Sequence, residues 1–292
     1  MISVNGEVIK LGKFPDGTLA MTDLPLDIIK TNNPKTMIHV VWKWENHDEQ
    51  VWLDYFMQWL HSQSEFRNYD TILYMYYCPN ARMDRVKARL REGFTLKYFA
   101  NTINRMRFTR VVLGDVHSPA ALALFDNVVH DAFAREIRTV IQMSEPDVIM
   151  FPDAGAHARY LTMMIDFMAS SIFAEGFPIV LIGEKGRDWK SGKIIEYKIA
   201  GGDAPVTGLK VLIIDDICSY GNTFIEAGKM LKERGARQVD LYVSHCETSV
   251  TKPGGLFTRE DNPITMLYTT NSLVRDKHPQ IIEIPIAGLE KL

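Results

Sequence analysis

The chain has 292 residues, 46% of them hydrophobic, enough for two domains of ordinary size with sizeable cores. Its 33 Lys and Arg against 36 Asp and Glu leave a formal charge of −3, which offers no basic field for a nucleic-acid backbone or an anionic membrane. The longest apolar runs, such as Phe177–Ile182 and Val211–Ile214, fall far short of the roughly 20 residues of a membrane-spanning helix, and Met1–Lys13 has neither the apolar core nor the cleavage site of a secretory signal. A cytoplasmic protein that binds neither nucleic acid nor membrane is therefore expected. Cys78, Cys218 and Cys246 are too few and too scattered for a disulfide framework or a zinc site and read as reduced thiols.

In chain order, short β-rich runs stand at Thr71–Tyr77, Arg110–Leu113, Asp147–Phe151, Ile179–Ile182, Lys210–Ile214, Gln238–Val243 and Thr265–Tyr268. Most are nearly continuous apolar stretches, the pattern of strands buried on both faces. Helical spacing recurs over Thr95–Met106, Ala120–Gln142, Ala156–Phe173 and Thr223–Arg234, the last stopped by Gly235. Strand and helix alternating in this way predict an α/β protein with parallel sheets wrapped by helices. The weak point near Ser144–Asp147 divides the chain into residues 1–145 and 146–292. Residues 184–203, with Gly186, Gly192, Gly201 and Gly202 around the amphipathic run Ile194–Ile199, read as a flap or hairpin.

Polar residues repeatedly follow the predicted strands: Arg82 and Asp84, then Asp115 and His117, then Asp153, then Lys185 and Arg187, then Asp215 and Asp216. Strand C-terminal ends are where open α/β sheets bind ligands. The most informative segment is Val211–Thr223, VLIIDDICSYGNT, which runs from an apolar strand through two adjacent acids and a small-residue loop into a helix. Ser219, Tyr220, Gly221, Asn222 and Thr223 form a loop whose backbone N–H groups, with the helix N-terminus, suit a phosphate. Asp215 and Asp216 can accept hydrogen bonds from vicinal sugar hydroxyls or hold Mg2+ through water. An ordinary strand-to-helix turn with a capping Asp is the plainer alternative. His245 and Cys246 at another strand end, and the aromatic residues Trp42, Trp44, Tyr76 and Tyr77, read as packing.

Val211–Thr223 resembles the phosphoribosyl pyrophosphate (PRPP) motif of type I phosphoribosyltransferases and, more closely, of the ribose-phosphate pyrophosphokinase (PRPP synthetase) family. Ala81–Arg85 (ARMDR), with Arg91-Glu92 and then Thr95, Lys97, Ala100 and Asn101, resembles the ATP-site stretch of the synthetases. Asp115-Val116-His117, Phe151–Arg159 (FPDAGAHAR), Glu184–Arg187 (EKGR), Thr269–Leu273 (TTNSL) and Phe14–Gly17 resemble further family segments in the same order. The resemblance implies two tandem phosphoribosyltransferase-like domains, each a mainly parallel sheet flanked by helices. It implies transfer of the β,γ-diphosphate of Mg-ATP to the anomeric hydroxyl of a ribose, releasing AMP, with ATP and Mg2+ required. Lys185 and Arg187 would be the catalytic cations. Phe14, Asp16, Arg82, Asp84 and His117 would bind ATP, His117 and Asp153 the metal, and Asp215 and Asp216 the ribose. The match of Phe14 and Asp16 to residues that reach adenine across a subunit interface implies a homo-oligomer, at least a dimer.

The phosphate loop departs from the family pattern, in which an Asp leads into small residues and no aromatic stands at the second position. Here Tyr220 enters, and a ring there suits something attached to the 5-phosphate. The acceptor is then ribose 5-phosphate or a larger 5-substituted ribose such as ADP-ribose, whose 1-diphosphate product a nicotinamide-using transferase could join to rebuild NAD. A compact synthetase of this kind suits a phage or mobile cluster, acting in the host cytoplasm. Two other readings stand beside it: a type I phosphoribosyltransferase that consumes PRPP, and a catalytically silent regulatory homologue.

Overall fold

Alternating apolar residues at the start of the chain build one face of a first sheet. β1 (Ile2–Val4) pairs antiparallel with β2 (Glu7–Ile9) on one side and with β5 (Met37–Trp42) on the other. Between them β3 (Gly12–Lys13) and β4 (Leu19–Ala20) form a separate two-stranded ribbon. In this computed structural model, which describes residues 1–22, 24, 26–31, 37–86, 92–170, 176, 178–187, 194–200, 206–273 and 276–289, the chain forms two compact units. They are Met1–Ala132 with Ala287–Leu292, and Phe133–Ile286.

In the first unit β5 continues through β6 (Asp70–Met75), β7 (Arg110–Gly114) and β8 (Val128–Asp131) as parallel neighbours, giving the order β2-β1-β5-β6-β7-β8. Its helices are α1 (Leu26–Thr31), α2 (His47–Ser62), α3 (Thr95–Arg105) and α4 (Pro119–Leu124). The Asn46 side chain caps α2 by accepting from the Glu49 N–H, and Trp52, Leu53, Phe56, Met57 and Leu60 recur at helical spacing on its buried face. They join Trp42, Leu73, Leu96 and Phe99 in one core. Each large side chain removed from water there contributes about 1.5–3 kcal/mol.

The second unit contains α5 (Ala134–Ser144), β9 (Val148–Phe151), α6 (Ala154–Ala169), β10 (Ile179–Arg187), β11 (Ile194–Ile199), β12 (Lys210–Cys218), α7 (Asn222–Glu233), β13 (Gln238–Cys246), β14 (Leu267–Thr270) and β15 (Ile281–Ile284). The sheet order is β11-β10-β9-β12-β13-β14-β15, parallel throughout except for β11 at the edge. All four residues of β9 are buried, which is why it reads as an unbroken apolar run, whereas β13, with eight of nine residues buried, also buries the polar Asp240, Ser244 and His245.

The structure corrects two expectations. The single helix expected over Ala120–Gln142 is α4, then β8, then α5. Two residues in the left-handed region, Asn127 at φ 53° and Phe133 at φ 52°, bracket the strand, and Val128 and Val129 pair with Val111 and Val112 of β7. The units meet in sequence at Ala132 and Phe133 rather than after residue 145, because α5 packs on β13 and β15 of the second sheet. Arg91, the end of the Ala156–Phe173 helix at 171–173, and residues 188–193 and 201–203 of the expected flap lie outside the described residues. No described helix is long and apolar enough to cross a membrane.

Candidate active site

Topology locates the centre of the site. From β9 the chain passes to β10 on one side and then to β12 on the other, so the strand order reverses between β9 and β12. Ligands of open α/β sheets bind in the crevice at the carboxyl ends of strands at such a switch point. Asp153 follows β9, and Asp215 and Asp216 lie on β12.

The two acids of β12 are not separate surface charges. Arg159, half-buried on α6, places Nη1 2.6 Å from Asp216 Oδ1 and 3.3 Å from Asp215 Oδ1. Asp216 is only 2% exposed. Burial first, and then the neighbouring Asp216, push the Asp215 carboxyl well above the usual range, while Arg159 opposes the rise. The pair is thus held close together by one guanidinium and can present its remaining oxygens to vicinal hydroxyls.

Directly beyond the acids, the loop Ser219–Gly221 turns into α7. Gly221 takes φ 84°, a left-handed geometry that an L-residue adopts only with strain, and a Cβ there would lie 2.9 Å from Leu256 Cβ. No side chain caps α7, whereas Asp153 caps α6 by accepting from the Ala156 N–H at 2.9 Å. The first N–H groups of α7 are therefore suited to an anion. The segment after β13 supports the loop from one side: Ser249 Oγ is 3.3 Å from Ser219 Oγ, Leu256 packs under Gly221, and Arg259 donates to Asn222 Oδ1 at 3.1 Å. Tyr220, between these supported positions, is 48% exposed, and Thr223 is half-buried in the first turn.

Lys185 and Arg187 lie on the backbone of β10 where it pairs with β11. Tyr197, which the sequence reading passed over, is opposite Lys185 in that register. Its hydroxyl donates to the Pro152 carbonyl at 2.8 Å. Burial, then the nearby carboxylates of Asp153 and Asp215, hold its phenol well above the ordinary range, so all three side chains share the switch-point crevice. A glycine in the interior of β10, Gly183, is the sequence signal of this close approach.

The residues expected at ATP all belong to the first unit. Phe14, 57% exposed, and Asp16 stand on the turn joining β3 to β4, where hydrogen bonds from the Thr18 hydroxyl and N–H hold the Asp16 carboxyl below its usual range. Arg82 is exposed in the turn after β6. Asp84 is bound by Arg85 through Nε at 2.7 Å and Nη2 at 2.9 Å. Those bonds, opposed by burial and reinforced by Ser118, keep the Asp84 carboxyl low. Because Ser118 caps α4 next to His117, this contact ties the Arg82–Arg85 turn to the half-buried His117. Asp115, buried just before, takes φ 27° while its N–H bonds the Asp131 carbonyl at 2.7 Å, a strained backbone at the end of β7. His245 and Cys246 are buried, His245 Nδ1 lying 2.8 Å from Ser272 Oγ, and form part of the packing.

Among the described residues no three His, Cys, Asp or Glu side chains cluster as a metal centre. Mg2+ carried on substrate phosphates keeps several waters and takes only one or two protein carboxylates. The hard oxygen donors of Asp153 and Asp215, gathered at the crevice, fit that role.

A family model described as the phosphoribosyl transferase domain matches residues 132–272. The ribose-phosphate pyrophosphokinase of Listeria ivanovii is 30% identical over 224 residues, covering 73% of this chain and 65% of its own length. That of Thermosipho africanus is 27% identical over 223 residues, with the same coverage. Over most of its length the chain is thus similar to ribose-phosphate pyrophosphokinases. The crystal structure of phosphoribosylpyrophosphate synthetase from Mycobacterium smegmatis superposes with a TM-score of 0.62 over 82% of this chain and 75% of that chain, at 21% identity, and shares the fold. The chain spans 48–65% of the length of the curated relatives it matches.

Proposed function

We propose that the protein is a diphosphotransferase that moves the β,γ-diphosphate of Mg-ATP onto the anomeric hydroxyl of a ribose. The anomeric oxygen bonds to the β-phosphorus and the bond from that phosphorus to the α,β-bridging oxygen breaks. The bridging oxygen leaves with AMP, and the hydroxyl proton passes to solvent. The observation that carries this reading is the Arg159-held acid pair running directly into an uncapped loop and helix at the sheet's switch point. Carboxylates for sugar hydroxyls beside N–H groups for a phosphate are the parts that a ribose phosphate needs.

In this reading Asp215 and Asp216 accept the 2- and 3-hydroxyls, and Ser219–Thr223 cradle the 5-phosphate. Lys185 and Arg187 neutralise charge on the transferring phosphates, a reaction in which positioning and electrostatics supply most of the rate. Asp153 would hold Mg2+, with Asp215 adding a hard oxygen, and the ion would neutralise phosphate charge; His117, in the first unit, is assigned to ATP. Arg82 holds ATP phosphates through its planar donor fork, and Phe14 and Asp16 meet adenine in an assembly of at least two copies. The match to pyrophosphokinases runs over 224 residues, well beyond the phosphoribosyl transferase stretch, which supports a synthetase over a PRPP-consuming transferase.

The acceptor we favour is ADP-ribose, because Tyr220 offers an open aromatic face beside the phosphate loop. Its 1-diphosphate would then be consumed by a nicotinamide-using transferase. The test is AMP release by phosphorus NMR, with mass spectrometry of the product, using Mg-ATP and either ribose 5-phosphate or ADP-ribose. Turnover of ribose 5-phosphate alone overturns the acceptor assignment; turnover of neither overturns the enzymatic reading and leaves the silent homologue.

A further inference from the structure

Among the described residues at the crevice, Tyr197 is a side chain to which neither the sequence motifs nor the proposed reaction gives a task. It stands on β11, yet its hydroxyl reaches past the neighbouring β10 to the Pro152 carbonyl at the end of β9. The path crosses Gly183. A Cβ built on Gly183 would lie 2.2 Å from the Tyr197 hydroxyl oxygen and 2.8 Å from the Pro152 oxygen, so only glycine leaves room for this hydrogen bond. The bond therefore joins three strands, and the one in the middle carries Lys185 and Arg187.

A buried tyrosine commonly finds some partner for its hydroxyl, so a hydrogen bond alone assigns no role. Here the partner is the carbonyl one residue before Asp153, the anchored strand pairs Tyr197 with Lys185, and a strand-interior glycine is given over to the contact. We infer that Tyr197 is a positioning residue whose hydroxyl, seated in the notch at Gly183, pins the β10–β11 pair and its Lys185–Arg187 backbone to the turn that presents Asp153. The inference rests on the reading of Lys185 and Arg187 as the cations of diphosphoryl transfer. It goes further in naming what fixes their register.

The experiment uses the full chain and three variants, Tyr197→Phe, Gly183→Ala and the double variant, in the AMP-release assay and in hydrogen–deuterium exchange. Displacing a catalytic group by an ångström costs up to about 100-fold in rate. Tyr197→Phe is expected to lower kcat by about 10- to 100-fold with both KM values within about twofold, and to raise exchange over residues 183–187 and 194–199 while the first unit keeps its protection. Gly183→Ala is expected to match it. The double variant should be no worse than Gly183→Ala alone, because the hydroxyl contact is relieved while the contacts of the new methyl with the Pro152 oxygen and the ring Cζ, 2.8 Å each, are common to both. A parental kcat in Tyr197→Phe, a rise in KM that accounts for the whole loss, or additive losses in the double variant would overturn the inference. If Gly183→Ala does not fold, the kcat-against-KM split of Tyr197→Phe decides alone. If the parent protein releases no AMP with either acceptor, the functional reading fails by itself. Exchange then decides the latch, and parental protection in Tyr197→Phe overturns it.

Discussion

Replacing Arg159 with Met tests whether one guanidinium holds the acid pair together. Met keeps an unbranched apolar stem but removes the guanidinium that Asp215 and Asp216 share, one of them 2% exposed. Breaking a buried ion pair by removing one partner costs about 3–5 kcal/mol. Because Arg159 and Asp215 each keep 15% of their side-chain surface, the lower end, about 3 kcal/mol, is expected. For a unit of this size that is a fall of roughly 6–12 °C in Tm. The loss should depend on pH. Burial and mutual repulsion already raise the Asp215 carboxyl, and without Arg159 it rises further. A folded-state pKa above the unfolded value gives stability that is complete at low pH and is lost as pH rises through it. Urea denaturation should therefore find the variant about 3 kcal/mol less stable at pH 8.5 and closer to the parent at pH 5, the acid side toward which the raised Asp215 carboxyl keeps its proton. Adding Asp216→Asn should recover part of the deficit at pH 8.5. A loss under about 1 kcal/mol, or an equal loss at both pH values, would refute the clamp.

Gly221→Ala forces a left-handed backbone on alanine, about 1–2 kcal/mol, and drives its Cβ to 2.9 Å from Leu256 Cβ. A raised KM for the phosphorylated sugar and a lowered Tm are expected, and parental values for both would count against the cradle. Tyr220→Ala should weaken ADP-ribose turnover more than ribose 5-phosphate turnover, measured as the ratio of the two kcat/KM values; an unchanged ratio removes the ring from acceptor choice. Burial pushes the Cys78 and Cys246 thiols up to about 12. Unfolded thiols ionise near pH 9, so between about 9 and 12 the unfolded state holds fewer protons and each thiol lowers stability by about 1.4 kcal/mol per pH unit. A denaturation midpoint that stays level from pH 9 to 10.5, or fast alkylation of the native protein at pH 8, would contradict this.

What could be read from the sequence follows how local each feature is. β9 and β12 are legible because burial on both faces writes an apolar run, VLIIDDICSYGNT because its acids, loop and helix start are contiguous, whereas β15, four residues interrupted by the exposed Glu283, is not. β8 was hidden because four residues between two helical patterns carry too little period to stand out, although Asn127 and the Val pair mark it. Before Thr71 the sequence also carries a local signal, since α2 has an Asn46 cap, Asp48 and Glu49 in its first turn, and an apolar stripe from Trp52 to Leu60.

The acid clamp and the tyrosine latch differ in kind from those omissions, because no local pattern encodes them. Arg159 is 56 residues from Asp215 and Tyr197 is 45 residues from Pro152, and each pair meets only when β9 and its neighbours are in register. Both contacts fall where the strand order reverses, the place at which loops from opposite sides of a sheet are brought together. The residues with recognisable chemistry, Asp153, Asp215 and Asp216, are therefore held by residues whose sequence signature is weak: an arginine late in a motif, and a tyrosine betrayed only by a glycine fourteen positions earlier. If the Gly183 and Tyr197 variants prove coupled, that glycine belongs to the site as much as the acids do, since its missing side chain is what lets the tyrosine reach them.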